Sequence, residues 1–125
     1  MARKSRAEFQ LDRYTYGGEV WRVQDQPHHV YVIAHEDGGC VGPVKVGLSY
    51  APFSRLKEVQ AGNPRLLAVY ENIQVRDKYD ARTLELAFHT AFAAQRIRGE
   101  WFNVEPEAAA KWLQSNIPVV EAKVA

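Results

Sequence analysis

The hydrophobic and polar positions of this chain change their period several times, and each change predicts a new element. Residues 30–33 and 44–49 are rich in β-branched side chains, and the glycine pair between them suits a turn because glycine accepts positive φ. These two stretches are predicted to form a β-hairpin with a rather long loop. After Pro52, apolar residues recur at helical spacing until Gly62, which predicts a short helix.

The pattern farther along the chain predicts a third strand and two more helices. Residues 66–75 are apolar enough to join the hairpin as a third strand, and residues 79–95 carry an apolar stripe that can cover one face of a sheet. Gly99 is predicted to end this long helix as a left-handed cap. Residues 106–117 are predicted to form the last helix. We therefore expect an α/β domain with a small central sheet of about three strands, mixed or antiparallel, flanked by helices.

The first 28 residues have two interpretations. Residues 1–18 begin with basic residues and show no strong period, whereas residues 19–23 alternate between polar and apolar positions. The alternation predicts a short extra strand that packs on the sheet, and the alternative is a flexible basic arm that touches DNA. Residues 29–118 are predicted to form the single domain, and residues 119–125 a C-terminal tail.

Composition and length exclude several classes of protein. A chain of 125 residues with 46% hydrophobic and 25% charged residues is typical of one soluble globular domain. The chain holds no apolar run long enough to cross a membrane, and its polar start does not resemble a secretory signal, so we expect a cytoplasmic protein without a membrane partner. Cys40 is the single cysteine, which excludes an intramolecular disulfide and a cysteine-based metal site.

The net charge of +1 conceals an uneven distribution. Between positions 45 and 65 a single acid, Glu58, accompanies four basic residues, and a second basic cluster follows the long helix; these residues are Lys45, Arg55, Lys57, Arg65, Arg96 and Arg98. A local basic face of this kind is sufficient to contact a phosphate backbone. An ordinary mixed, solvated surface is the alternative interpretation.

Four short motifs, in order along the chain, resemble those of one known superfamily. The first predicted strand carries Tyr31, the second carries Lys45-Val46-Gly47, and Arg55 follows in the first helix. The long helix carries Glu85, Phe88, His89 and Phe92, and Gly99-Glu100-Trp101-Phe102 comes after it. Together these motifs resemble the GIY-YIG nuclease superfamily, most closely its subgroup named after a phage open reading frame, in which Lys-Ile-Gly replaces Tyr-Ile-Gly. The resemblance covers about residues 29–104.

The resemblance implies a role for each matched residue. Glu85 would bind one Mg²⁺ or Mn²⁺ ion, which fits the preference of these ions for carboxylate oxygens, water and substrate phosphate. Arg55 would bind the scissile phosphate, for which its planar guanidinium is suited. Tyr31 and Lys45 are both candidates for the group that takes the proton of the attacking water. His89 would contact the phosphate or hold Glu85.

Each of these residues also has a purely structural interpretation. Glu85 could pair with Arg82 or His89 on a helix surface, and His89 could complete a hydrogen bond in the core. Asn103 is a candidate for the terminal asparagine of the superfamily, although its spacing from Glu85 is longer than usual. For the basic residues, Lys57, Arg65, Arg96 and Arg98 are the expected contacts to DNA.

We therefore expect a magnesium-dependent DNA endonuclease that needs no small-molecule cofactor. The first alternative is a DNA-binding module of the same fold without turnover, which the replacement of tyrosine by Lys45 favours. The second alternative is a protein-interaction domain, in which Tyr31, Arg55 and Glu85 would have no reason to share a site.

Overall fold

The structure, a computed structural model, describes residues 14–16, 19–21, 25–36 and 42–117, with side chains described for the last two ranges. These residues form seven strands, three α-helices and one 3₁₀ turn. The strands are β1 (Tyr14–Tyr16), β2 (Glu19–Trp21), β3 (His28–His35), β4 (Val44–Ser49), β5 (Leu67–Val75), β6 (Arg96–Arg98) and β7 (Trp101–Phe102). The helices are α1 (Pro52–Gln60), α2 (Lys78–Ala91) and α3 (Pro106–Ser115), and Ala93–Gln95 is the 3₁₀ turn.

The main sheet has five antiparallel strands in the order β5-β3-β4-β7-β6. The predicted α/β architecture is therefore correct, but the prediction of about three strands is wrong. The two additional strands, β6 and β7, are three and two residues long, and every residue of β6 is exposed. Segments of this length carry no detectable period, so the hydrophobic pattern could not predict them.

Each face of the sheet packs against a different set of helices. Val30, Val32 and Val46 lie on the face covered by Leu84 and Phe88 of α2 together with residues of α3. The opposite face carries Tyr31, Ile33 and Leu67, which pack against Leu56 and Val59 of α1 and against Trp101. Alternate residues of β3 therefore serve two separate cores, as the period of two in a strand requires.

A β-bulge lets the long strand β5 serve both cores. Glu71 pairs with Val32 and Val69 pairs with Ile33, so Tyr70 is the extra residue between them. Because one inserted residue reverses the side-chain alternation, Ile73 faces the α2 side while Val69 faces the α1 side.

The long helix is shorter than the sequence predicts. Its α-helical part ends at Ala91, and the 3₁₀ turn carries the chain into β6. Gly99 has φ +56, as expected for a left-handed glycine, but it lies in the turn between β6 and β7 rather than at a helix end. The prediction of a helix cap at Gly99 is therefore wrong, because the arginines before it pair with β7 as a strand.

Strands β1 and β2 pair with each other in a separate two-stranded sheet. The strand predicted at residues 19–23 is thus present over Glu19–Trp21, but it is not a strand of the main sheet. Several predictions lie outside the described residues: the basic start, the glycine pair and Cys40 in the loop after β3, and residues 119–125. In the described part of the chain, no helix has the length and apolar character needed to cross a membrane.

Candidate active site

The candidate site lies where strand β4 extends past the end of β7. Strand β7 pairs with Val44 and Lys45 only, and beyond that point the backbone of Val46 uses other partners. Its NH donates to the carbonyl oxygen of Glu100 at 2.9 Å, and its carbonyl oxygen accepts a hydrogen bond from Nε2 of His89 at 3.0 Å. Because no strand covers β4 at this edge, side chains of α2 can approach from the other face of the sheet.

Gly47 provides the space in which the site is assembled. Gly47 pairs with Tyr31 across the β3–β4 ladder, so the two residues face the same side of the sheet. A Cβ atom at position 47 would lie 2.5 Å from the Tyr31 hydroxyl oxygen and 2.5 Å from Oε1 of Glu100. No side chain larger than hydrogen fits there unless these two groups move. The Lys45-Val46-Gly47 motif therefore has a direct steric reason for its glycine.

Tyr31 is a buried phenol among charged groups. Only 1% of its surface is exposed, and its hydroxyl donates to Oε1 of Glu100 at 3.5 Å. Burial raises the pKa of Tyr31 to about 12; Arg55 opposes the rise through a hydrogen bond, and the negative charges of Glu100 and Glu85 add to it. In this state Tyr31 is a protonated hydrogen-bond donor at neutral pH.

Lys45 lies on the same face as Tyr31, two pairs farther along the ladder, where it pairs with Ile33. Its Nζ is 3.1 Å from Oε1 of Glu100, and its side chain is 12% exposed. The same ammonium lies 5.9 Å from the ring centre of Trp101. Both contacts hold the ammonium of Lys45 beside Tyr31.

Glu85 and Glu100 form a pair of interacting carboxyl groups. Glu85 is 7% exposed. Burial raises the pKa of Glu85 to about 7, and the charge of Glu100 and a hydrogen bond with it act in the same direction; Arg82 and Lys45 oppose the rise. Of the two partners that the sequence offered, Arg82 acts on Glu85 through its charge and His89 bonds to Val46 instead, and a second acid is in contact with Glu85. Two such carboxyl groups attract cations.

Arg55 connects helix α1 to the site. Its Nη1 donates to Oε1 of Glu58 at 2.7 Å, and its pKa is raised first by this hydrogen bond and then by the one with Tyr31. The side chain is 43% exposed, so part of the guanidinium remains accessible to solvent. Arg55 can therefore contact Tyr31 and an incoming anion from the same position.

The structure does not bring the other predicted residues into this group. Nε2 of His89 donates to the Val46 carbonyl oxygen, which is the core hydrogen bond that the sequence left as its structural interpretation. Asn103 is exposed, and its backbone NH donates to the carbonyl oxygen of Gln95. The four basic residues expected to contact DNA are exposed at three places on the surface: Lys57 on α1, Arg65 after it, and Arg96 and Arg98 on β6.

Sequence reasoning missed Glu100, the residue that contacts most of the others. The Gly-Glu-Trp-Phe motif was recognised, but no role followed for its acid. The available signal was the position of Glu100 directly before two aromatic residues that anchor the chain: Phe102 is fully buried and Trp101 packs beside Ile33. An acid directly before two anchoring aromatic residues is held close to the core. This position in the sequence could have identified Glu100 as a residue of the site.

Within the described residues, no group of three or more histidine, cysteine or acidic side chains is arranged to hold a metal ion. The two interacting acids of the site, Glu85 and Glu100, are the candidate ligands for the expected ion. This small set still suits Mg²⁺, because that ion keeps several of its waters and takes phosphate oxygens as further ligands.

The fold and these side chains define a small mixed α/β domain with a charged site at one edge of its sheet. Residues 28–116 match the family model of the T5orf172 domain, and because this match spans most of the chain, the protein belongs to that family. The T5orf172 domain is a domain of phage open reading frames that is associated with nucleases of the GIY-YIG and HNH-like kinds. No match was found among curated proteins, and none among solved structures.

Proposed function

We propose that this protein is a metal-dependent DNA endonuclease of the GIY-YIG type that hydrolyses phosphodiester bonds. One observation carries the proposal: Tyr31, Lys45, Arg55 and Glu85 come from four different elements yet interact within one group of side chains. A protein-interaction domain gives no reason for this convergence. The membership of the T5orf172 family supports a nuclease or a DNA-binding role.

Two cations would bind and orient the phosphate. Arg55 is partly exposed and offers a planar fork of donors to two phosphate oxygens. Lys45 offers a point charge from the sheet, on the other side of Tyr31. Positive charges fixed before the reaction begins stabilise the charge that develops on the phosphate oxygens in the transition state.

Glu85 and Glu100 would hold the divalent ion. The fit rests on the raised pKa of Glu85: an environment that opposes a second negative charge is relieved when a cation binds between the two acids. Such an ion supplies Lewis-acid stabilisation of phosphate oxygens and activates water. Glu85 and Glu100 themselves would present two carboxylates to the ion beside strand β4, at the point where β7 ends.

Tyr31 and Lys45 remain the two candidates for proton transfer. With a pKa of about 12, Tyr31 acts in the DNA-free state as a donor that can orient a water, and it accepts a proton only if added positive charge lowers that pKa. Lys45 is bound to Glu100 and must leave that contact before it can exchange a proton with another group. The pH–rate profiles of Tyr31→Phe and Lys45→Met would distinguish the two.

A DNA-binding module without turnover is the second candidate function. The ion pair between Lys45 and Glu100 favours it, because that contact occupies both the residue that replaces the usual tyrosine and one of the two acids. Such a module would bind DNA without cleaving it under any metal condition.

The decisive experiment is a nicking assay on supercoiled plasmid. The proposal predicts conversion to open circles with Mg²⁺ or Mn²⁺ and no conversion with EDTA. DNA affinity is measured in parallel by gel shift in EDTA. Binding without nicking on supercoiled, linear and branched DNA would favour the DNA-binding module instead.

A further inference from the structure

The contacts of the candidate site converge on one atom of Glu100. Its Oε1 lies 3.1 Å from Nζ of Lys45 and 3.5 Å from the hydroxyl of Tyr31. The same oxygen is 2.5 Å from where a Cβ of residue 47 would stand, so Gly47 is what allows it to reach both groups. A single carboxylate oxygen therefore fixes the distance between the two candidate catalytic groups of the sheet.

While this contact lasts, the carboxylate of Glu100 takes one of the three donors of the Lys45 ammonium and offsets its charge. Only 12% of the Lys45 side chain is exposed, against 35% for Glu100, so Glu100 is the more accessible side chain of the pair. A phosphate that binds Lys45 must approach the negative charge of Glu100, 3.1 Å from Nζ. Phosphate and carboxylate therefore compete for one ammonium group.

We propose that Glu100 is a positioning residue that holds Lys45 beside Tyr31 in the DNA-free protein and yields the Lys45 ammonium to a DNA phosphate on binding. The inference rests on the proposed function for the nature of the ligand, a nucleic-acid phosphate. It adds a residue and an exchange of partners that the family assignment does not contain. Glu100 keeps its contact with Tyr31 after the exchange.

A second Glu–Lys pair in the chain provides a matched control. Lys111 Nζ lies 3.4 Å from Oε2 of Glu107 on helix α3, with 73% and 72% of the two side chains exposed. Exposed pairs of this kind interact weakly because water screens them. If the pair at Lys45 acts as proposed, its removal affects DNA binding in a way that removal of the α3 pair does not.

The test is a double-mutant cycle on DNA affinity, measured by fluorescence anisotropy with a labelled duplex in EDTA. Glu100→Gln should tighten binding about 3- to 10-fold at low salt, because Lys45 loses its competitor. In the Lys45→Met background the same change should give less than about a 2-fold gain. The cycle of Glu107→Gln with Lys111→Met should show no coupling.

Two results of the cycle would overturn the proposal. An equal gain from Glu100→Gln in both backgrounds would mean that only a negative charge was lost. Unchanged or weaker binding by a folded Glu100→Gln protein would mean that Glu100 does not compete with DNA. Should Glu100→Gln fail to fold by circular dichroism, Glu100→Asp takes its place, since the shorter acid loses Lys45 while keeping its charge, and it should also tighten binding.

A measurement on the unmodified protein gives a second, independent result. The ammonium resonance of Lys45 in ¹⁵N-lysine-labelled protein, assigned by its loss in Lys45→Met, should shift in a saturable way as duplex DNA is added. A resonance that stays unchanged at saturation overturns the proposal. If the mutant cycle shows coupling but the plasmid is not nicked, only the nuclease function is contradicted. If the plasmid is nicked but the cycle shows no coupling, only the role of Glu100 is contradicted.

Discussion

The pKa of the Glu85 carboxyl is raised to about 7, because burial and the neighbouring Glu100 both oppose its ionisation. An acid in such surroundings is destabilising once charged, and folded proteins tolerate the arrangement mainly where it serves a function. Among the single residues of the site, Glu85 is therefore the one whose charge has the largest expected effect on stability.

Glu85→Gln should remove the part of the pH dependence of folding stability that comes from the Glu85 carboxyl. Because the folded-state pKa of about 7 lies above the ordinary value of 4.5, the folded protein retains a proton between these pH values that the unfolded chain loses. The contribution of Glu85 to stability is therefore greatest below pH 4.5 and declines as pH rises to 7. In EDTA at pH 8, Glu85→Gln should be more stable than the parent by about 1–3 kcal/mol.

Urea unfolding at pH 5 and pH 8 measures this difference. Glu107→Gln, which removes an exposed acid from helix α3, is the control and should follow the parent at both pH values. If Glu85→Gln and the parent lose stability equally between pH 5 and pH 8, the raised pKa of Glu85 is not real.

Arg55→Lys should separate phosphate orientation from general attraction of DNA. Lysine keeps the positive charge but cannot reproduce the planar fork, so cleavage should fall about 10²-fold or more while binding is largely kept. Lys57→Ala, on the exposed side of the same helix, should weaken binding modestly, lower the salt slope by about one unit and leave cleavage of bound DNA nearly unchanged. Single-turnover cleavage and salt-dependent binding provide the comparison. If both variants lose binding and cleavage in parallel, Arg55 is only one of several residues of a basic surface.

Among the elements, strand β4 has the strictest requirement, at Gly47. Gly47→Ala should lower the free energy of unfolding by about 1–3 kcal/mol, because the added methyl overlaps Tyr31 and Glu100. Gly62→Ala is the matched control, since nothing lies within 4 Å of a Cβ there, and it should change stability by less than about 0.5 kcal/mol. Thermal unfolding of both variants tests this. Equal behaviour would show that Tyr31 and Glu100 move aside easily.

The sequence predicted the elements whose pattern is long enough to have a period. Strands β3, β4 and β5 and helices α1 and α3 were expected close to their observed bounds, whereas α2 ends at Ala91, earlier than expected. The pattern could not predict β6 and β7, because β7 depends on its pairing with β4, and β6 on its pairing with β7, rather than on a period in their own residues. For the same reason Gly99 was assigned to a helix end: a left-handed glycine suits either place, and only the pairing partner decides between them.

The candidate site was predictable to a similar extent. The resemblance of the four motifs named Tyr31, Lys45, Arg55 and Glu85 as candidates, and the structure brings these side chains together. Their catalytic roles stay predictions. Glu100 was not identified, since its role depends on the end of β7 at Trp101 and on the free edge of β4 beyond it. Contacts between neighbouring strands that are distant in the sequence produce no periodic pattern of hydrophobic residues, so the sequence does not reveal them.

For the whole molecule, the proposed function requires that this site cut DNA with a divalent ion held by Glu85. The chain is nearly neutral, so its DNA affinity depends on local basic groups, and loss of one acid should not weaken it. Binding and cleavage can therefore be measured separately on the same DNA.

The decisive comparison is cleavage of a bound duplex by the parent and by Glu85→Ala, at saturating protein with Mg²⁺. If Glu85 holds the ion, the parent cleaves the duplex, Glu85→Ala gives no detectable cleavage, and the variant binds DNA as tightly as the parent or slightly more tightly. Equal cleavage by the two proteins would contradict it.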